Sequence, residues 1–143
     1  KKERFTLTVI DMKKLLSIIV VSLLFGGNAI ADINWTKIGS SNAGTVFYID
    51  VATIKKVNNS GWYNTLHYQL TDYAKPSPAG VLSSKSYIET NCVDYSYRTL
   101  KDSYYQEPMG YGNSRWYNDP GRWIKPEDNS SGFMLAEFVC NYK

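Results

Sequence analysis

The sequence predicts an α+β domain: an antiparallel β-sheet with an amphipathic helix at its C-terminal end, joined to the sheet by one disulfide. Three observations carry this. Runs of β-branched, aromatic or alternating residues recur between turn-forming clusters over residues 34–124. From Phe133 onward that alternation gives way to helical spacing. The chain also holds two cysteines, Cys92 and Cys140, behind a leader that sends it to an oxidising space.

The leader is "MKKLLSIIVVSLLFGGNAIA", residues 12–31. It has a basic start at Lys13 and Lys14, an 11-residue apolar run broken only by Ser17 and Ser22, and an Ala29-Ile30-Ala31 end. These are the three parts of a secretory signal peptide. The run is too short for a membrane span, which needs about 20 apolar residues. Residues 1–11, ahead of Met12, are expected to be an upstream extension outside the native protein. Cleavage after Ala31 leaves residues 32–143, a 112-residue chain of one domain. Five of the 16 basic and two of the 13 acidic side chains lie in residues 1–31, leaving 11 of each. The formal charge of +3 therefore belongs to the leader, and no basic footprint remains for nucleic acid or an anionic membrane. The mature chain carries no transmembrane segment.

The elements follow in order. Residues 34–38 form a short strand in which Trp35 and Lys37 alternate with Thr36 and Ile38. "GSSNAG", residues 39–44, is turn chemistry. "TVFYID", residues 45–50, is a strand, which residues 53–57 extend or flank. "NNSG", residues 58–61, reads as a hairpin turn. Over residues 62–70, Trp62, Leu66, Tyr68 and Leu70 share one face with Asn64, and Tyr63, Thr65, His67 and Gln69 share the other. The apolar set is expected to be buried and the polar set wet. After an irregular loop over residues 74–80, residues 81–90 form a strand with Leu82 and Ile88 in phase with Cys92. Residues 91–94 turn, and residues 95–100 return. Residues 101–122 are rich in Gly, Asn, Asp, Pro and Tyr and read mostly as loop; Trp123 and Ile124 make a last short strand. Asn129, Ser130 or Ser131 caps a helix whose apolar stripe holds Phe133, Ala136 and Cys140, widened by Leu135, Phe138, Val139 and Tyr142. Two thiols in an oxidising compartment allow one intramolecular pairing, so Cys92 and Cys140 staple this helix to the sheet.

The ordered residues resemble the bacterial surface-adhesin protein E family. The resemblance rests on "NWTKIG", on Tyr48-Ile49-Asp50, and on the lysine-bearing residues 53–56. It continues through Ser83-Ser84-Lys85, with Glu89 ahead of Cys92, and "YSYRTL" with Tyr104-Tyr105. It closes on Trp123, Pro126 and Cys140, and it spans residues 33–142. It implies one antiparallel sheet of about six strands with the stapled helix across it. It also implies a non-enzymatic module that engages host matrix or plasma proteins of the laminin, vitronectin and plasminogen type, a link to haem, and a homodimer. The family's namesake is lipid-anchored through a Cys directly after the leader. Asp32 stands there in this chain, so the expected location is periplasmic, secreted or cell-surface without that anchor.

Other chemistry is thin. No phosphate cradle, metal spacing or nucleophile elbow is present, and one histidine cannot complete a zinc set. No cofactor follows from the residues. His67, weighed as a general base or haem ligand, falls on the wet face of its strand and reads as an exposed histidine. Asp50 and Asp72, weighed as an acid–base pair, fall at strand ends where Asp serves turns. Alternatives to the adhesin are a periplasmic small-ligand or haem binder and a small exported hydrolase. The aromatic density around residues 95–123 points instead to a binding surface, since Tyr, Trp and Arg dominate interface hot spots. The candidate surface is Tyr97, Arg98, Tyr104, Tyr105, Tyr111, Arg115, Trp116 and Tyr117.

Overall fold

In the computed structural model, residues 34–59 and 61–143 are described, and the leader and its cleavage site lie outside them. A six-stranded antiparallel sheet runs in simple chain order. Its strands are β1 (Trp35–Ser40), β2 (Val46–Asn59), β3 (Trp62–Asp72), β4 (Ser83–Asn91), β5 (Tyr97–Tyr105) and β6 (Ser114–Tyr117), followed by helix α1 (Ser131–Asn141). Consecutive antiparallel neighbours need only short turns, which fits the Gly- and Asn-rich clusters between them.

Helix α1 starts at Ser130, whose hydroxyl accepts the Phe133 N–H at 3.2 Å. It lies on one face of the sheet. Leu135, Val139 and Cys140 pack with Ile49 as the buried centre, ringed by Ile38, Phe47, Val51, Ile54 and Met134. Gly132 permits the close approach of its first turn, because a Cβ there would meet the Tyr97 ring at 3.2 Å. Cys92 and Cys140 are bonded, with Cα atoms 5.5 Å apart, and the Tyr63 hydroxyl donates to the Cys140 carbonyl at 3.2 Å. The staple and the expected fold class are therefore present.

Several expectations change. Residues 101–105 are strand, not loop, and residues 114–117 return as β6, so the breakers act only between them. Pro108–Gly110 forms a short 3-10 turn there. Ile124 makes an isolated bridge to Tyr97 rather than a strand of its own. Leu82 precedes β4; Ile88 is buried in phase with Cys92 as expected, but the other residues in that phase are Ser84, Ser86 and Thr90, small side chains that admit the helix. Asp50 sits inside β2, not at its end.

The larger correction concerns the faces of β3. His67 is 1% exposed and lies on the helix side, whereas Trp62 is 64% and Tyr68 41% exposed. The reason is architectural. A single sheet with one helix has one covered face, and here the helix covers the row carrying Thr65, His67 and Gln69. The more apolar alternate set of β3 points to the side that no helix covers, where Leu70 alone is fully buried and Asp72 holds the Pro108–Gly110 turn.

Candidate functional site: the uncovered face of the sheet

Residues directly opposite in register share a face. On the side away from α1 this produces two adjacent rows across the strands. One runs Lys37, Tyr48, Leu70, Lys85, Ser103 and Trp116. The next runs Trp35, Asp50, Tyr68, Tyr87 and Lys101. Between them lies a groove of about 330 Å³ walled by Trp35, Tyr68, Tyr87, Tyr105 and Trp116. The Tyr68 and Tyr87 ring centroids lie 4.7 Å apart, with the planes tilted by 32°. The Lys101 ammonium stands 4.4 Å from the Trp116 ring centroid, and that of Lys85 stands 5.0 Å from Tyr105. Burial lowers the pKa of Lys85, whose ammonium also donates to the Gly110 carbonyl at 3.2 Å. The groove thus presents flat rings with cations held against them, chemistry suited to a partner's carboxylates and carbonyls.

One end of this face is closed by the Pro108–Gly110 turn. Asp72 accepts the Met109 N–H at 2.6 Å, and the Ser83 hydroxyl accepts the Gly110 N–H at 2.8 Å while donating to the Glu107 carbonyl at 2.6 Å. Met109 takes a left-handed φ of 57° within this clasp. At the other end Glu89 binds Arg98, with an N–O distance of 2.7 Å, and accepts from Asn64 at 2.7 Å. The Arg98 guanidinium lies 4.8 Å from the Trp123 ring centroid. The residues that carried the resemblance, Ser83, Lys85, Glu89, Arg98 and Trp123, therefore act together to brace both ends of the face.

The eight residues singled out from the sequence divide between places. Tyr105 and Trp116 line the groove, and Arg98 braces its end. Tyr104, Arg115 and Tyr117 fall on the opposite side of the sheet, along a separate cleft of about 660 Å³. There Tyr104 and Tyr117 meet edge to face at 5.6 Å. Tyr104 donates to Asp102 at 3.2 Å, and burial with that nearby carboxylate pushes its pKa up to about 12. Tyr111 is exposed beyond the 3-10 turn. Tyr97 lies under α1. Trp35, Tyr68, Tyr87, Lys85 and Lys101 were not on the sequence-derived surface. Tyr68 shares a period-two face with Trp62, Leu66 and Leu70, a face that its apolar character marks for burial, and Lys101 falls in the stretch that reads as loop.

Asp50 accepts the Ala52 N–H at 3.2 Å and Asp72 holds Met109, so each carboxylate serves the backbone near it. Among the described residues no group of three or more His, Cys, Asp or Glu is placed to hold a metal. No helix among them is long and apolar enough to cross a membrane. His67 does not fit the role of haem ligand, since its ring is enclosed by α1 in a cavity of about 240 Å³.

No curated protein matches the chain in sequence. Solved structures of Haemophilus influenzae protein E share its fold. One superposes with a TM-score of 0.55 at 20% identity, covering 78% of this chain and 91% of that one. A second gives 0.54 at 18% identity, covering 76% and 85%. Crystal form II gives 0.52 at 20% identity, covering 67% and 81%. The profile of the family described as surface-adhesin protein E matches residues 35–141, and the chain belongs to that family.

Proposed function

We propose that this protein is an exported, non-enzymatic adhesion module that holds a protein partner against the uncovered face of its sheet. The observation that carries the reading is the exposure of that face. Trp116 is 60% exposed and Tyr68 41%, in rows that also carry Lys85 and Lys101. Contiguous exposed aromatic surface is rare on a lone domain and tends to mark a contact site. The resemblance supplies the partner class, host matrix or plasma proteins of the laminin, vitronectin and plasminogen type. Tyr105 and Trp116 are the anchors kept from the sequence-derived surface; Tyr104, Arg115 and Tyr117 lie on the other side of the sheet and are not part of the adhesive face. Residues 12–31 serve as the export signal, and the mature chain begins at Asp32.

The test is surface plasmon resonance of oxidised residues 32–143 over immobilised laminin, vitronectin and plasminogen. Retention on at least one that is lost in Trp116→Ala, with an unchanged circular dichroism spectrum, supports the proposal. Retention on none, or retention unaffected by the substitution, defeats it.

A further inference from the structure

Beneath the first two turns of α1 lies the cavity of about 240 Å³ that contains the edge of His67. Its walls are two-sided in character. Phe47, Ile88, Leu135 and Ala136 supply apolar surface, while His67, Gln69, Thr90, Tyr97 and Ser131 supply hydrogen-bonding groups. The His67 ring is deeply buried, and its Nδ1 has no hydrogen-bond partner; the hydroxyl of Thr65, two residues earlier, has none either, but Thr65 lies outside the cavity wall. Buried polar atoms left unpaired cost about 1–3 kcal/mol each, so they are rare unless something pairs them or the site has a use.

The neighbouring backbone is irregular at this point. β2 pairs Asp50 with Tyr68 and next pairs Lys55 with Leu66, so no β2 residue stands in register with His67. Thr53 partly repairs the ladder by accepting the Tyr68 N–H on its hydroxyl at 3.0 Å. Such bulges often accompany sites. Apart from His67 itself, Tyr97 is the only titratable side chain in the cavity wall. An ion would lose its hydration there without a counter-charge. At about 30 Å³ for each non-hydrogen atom of a liquid such as water, the volume holds roughly eight such atoms.

We propose that this cavity is a binding site for a compact, neutral, mostly apolar molecule carrying one hydroxyl or carbonyl group. The polar group pairs with the His67 imidazole, and the body lies against Phe47, Ile88, Leu135 and Ala136. A neutral imidazole offers one donor and one acceptor, so it takes either group. The site is independent of the adhesive face, because it opens on the other side of the sheet.

Phenol, of suitable size and carrying one hydroxyl, is the probe. His67 is the sole histidine, so its ring gives one unambiguous set of ¹H–¹³C signals. Titration should shift those signals saturably, with a midpoint on the order of 1 mM, and raise the thermal midpoint. Ala136→Leu, which fills the cavity from α1 and leaves His67 as reporter, should abolish the saturable shift. His67→Leu should abolish the thermal effect. No saturable shift in the unaltered protein means that the cavity holds only water. A shift that survives Ala136→Leu means that phenol binds elsewhere. Either result overturns the proposal.

Discussion

Lys101 holds its ammonium 4.4 Å from the ring centroid of Trp116, on the side of the sheet opposite α1. Tyr117, the next residue, faces the other side, against Tyr104. Two adjacent aromatic residues thus report on different surfaces. Trp116→Ala should weaken partner binding by more than about 2 kcal/mol, the range of a hot-spot ring, and Tyr117→Ala by less than about 0.5 kcal/mol. Titration calorimetry of both variants checks this. Equal losses would place the partner across the β6 edge rather than on the face.

The clasp that closes the face depends on Gly110. Its φ is +73°, and a Cβ there would collide with Cε of Lys85. Gly110→Ala should destabilise the domain by roughly 1–3 kcal/mol and push Lys85 out of its place beside Tyr105. Urea unfolding reads the stability. A loss under about 0.5 kcal/mol would show that the turn lifts off the sheet without consequence.

Much of the fold is legible in the sequence because its turn signals are chemically explicit. "GSSNAG", "NNSG" and the residues around Asn91 mark the reversals, and Ser130 with the stripe from Phe133 marks the helix. The faces are less legible. The row Thr65, His67 and Gln69 on β3 looks wet, yet it lies on the helix side beside Ser84, Ser86 and Thr90 of β4, where small side chains let α1 approach. Tyr68, in phase with Trp62, Leu66 and Leu70, looks like core and lines the outer groove. Polarity alone assigns the wrong face wherever an uncovered sheet face is aromatic. The clasp of Asp72, Ser83 and Lys85 on the Pro108–Gly110 turn joins residues far apart in sequence, and no local pattern announces it.

The disulfide closes a separation of 48 residues. By chain entropy it contributes about 4 kcal/mol. A Cys92→Ser/Cys140→Ser double variant should lose on the order of that amount in urea and should release the end of α1, seen as faster amide exchange over residues 136–141. Unchanged stability would mean that packing of Leu135 and Val139 alone fixes the helix.

Acid should weaken the domain through His67. Burial pushes its pKa down to about 4, below the unfolded value of 6.5. The unfolded chain therefore binds the proton first, and stability falls as pH drops from about 6.5 to about 4, then levels for this group. The span corresponds to roughly 3 kcal/mol. His67→Gln should flatten stability over that window in urea titrations. A variant that keeps the same slope would assign the acid response to other groups.

The central claim is that the uncovered face, not the helix side, is adhesive. Hydroxyl-radical footprinting of residues 32–143, free and bound to whichever of laminin, vitronectin or plasminogen retains them, tests it most directly. Trp116, Tyr68 and Tyr105 should lose reactivity on binding, while Tyr117 and Tyr142 keep theirs. Protection concentrated on α1 or on Tyr104 and Tyr117, with Trp116 and Tyr68 unchanged, would contradict it.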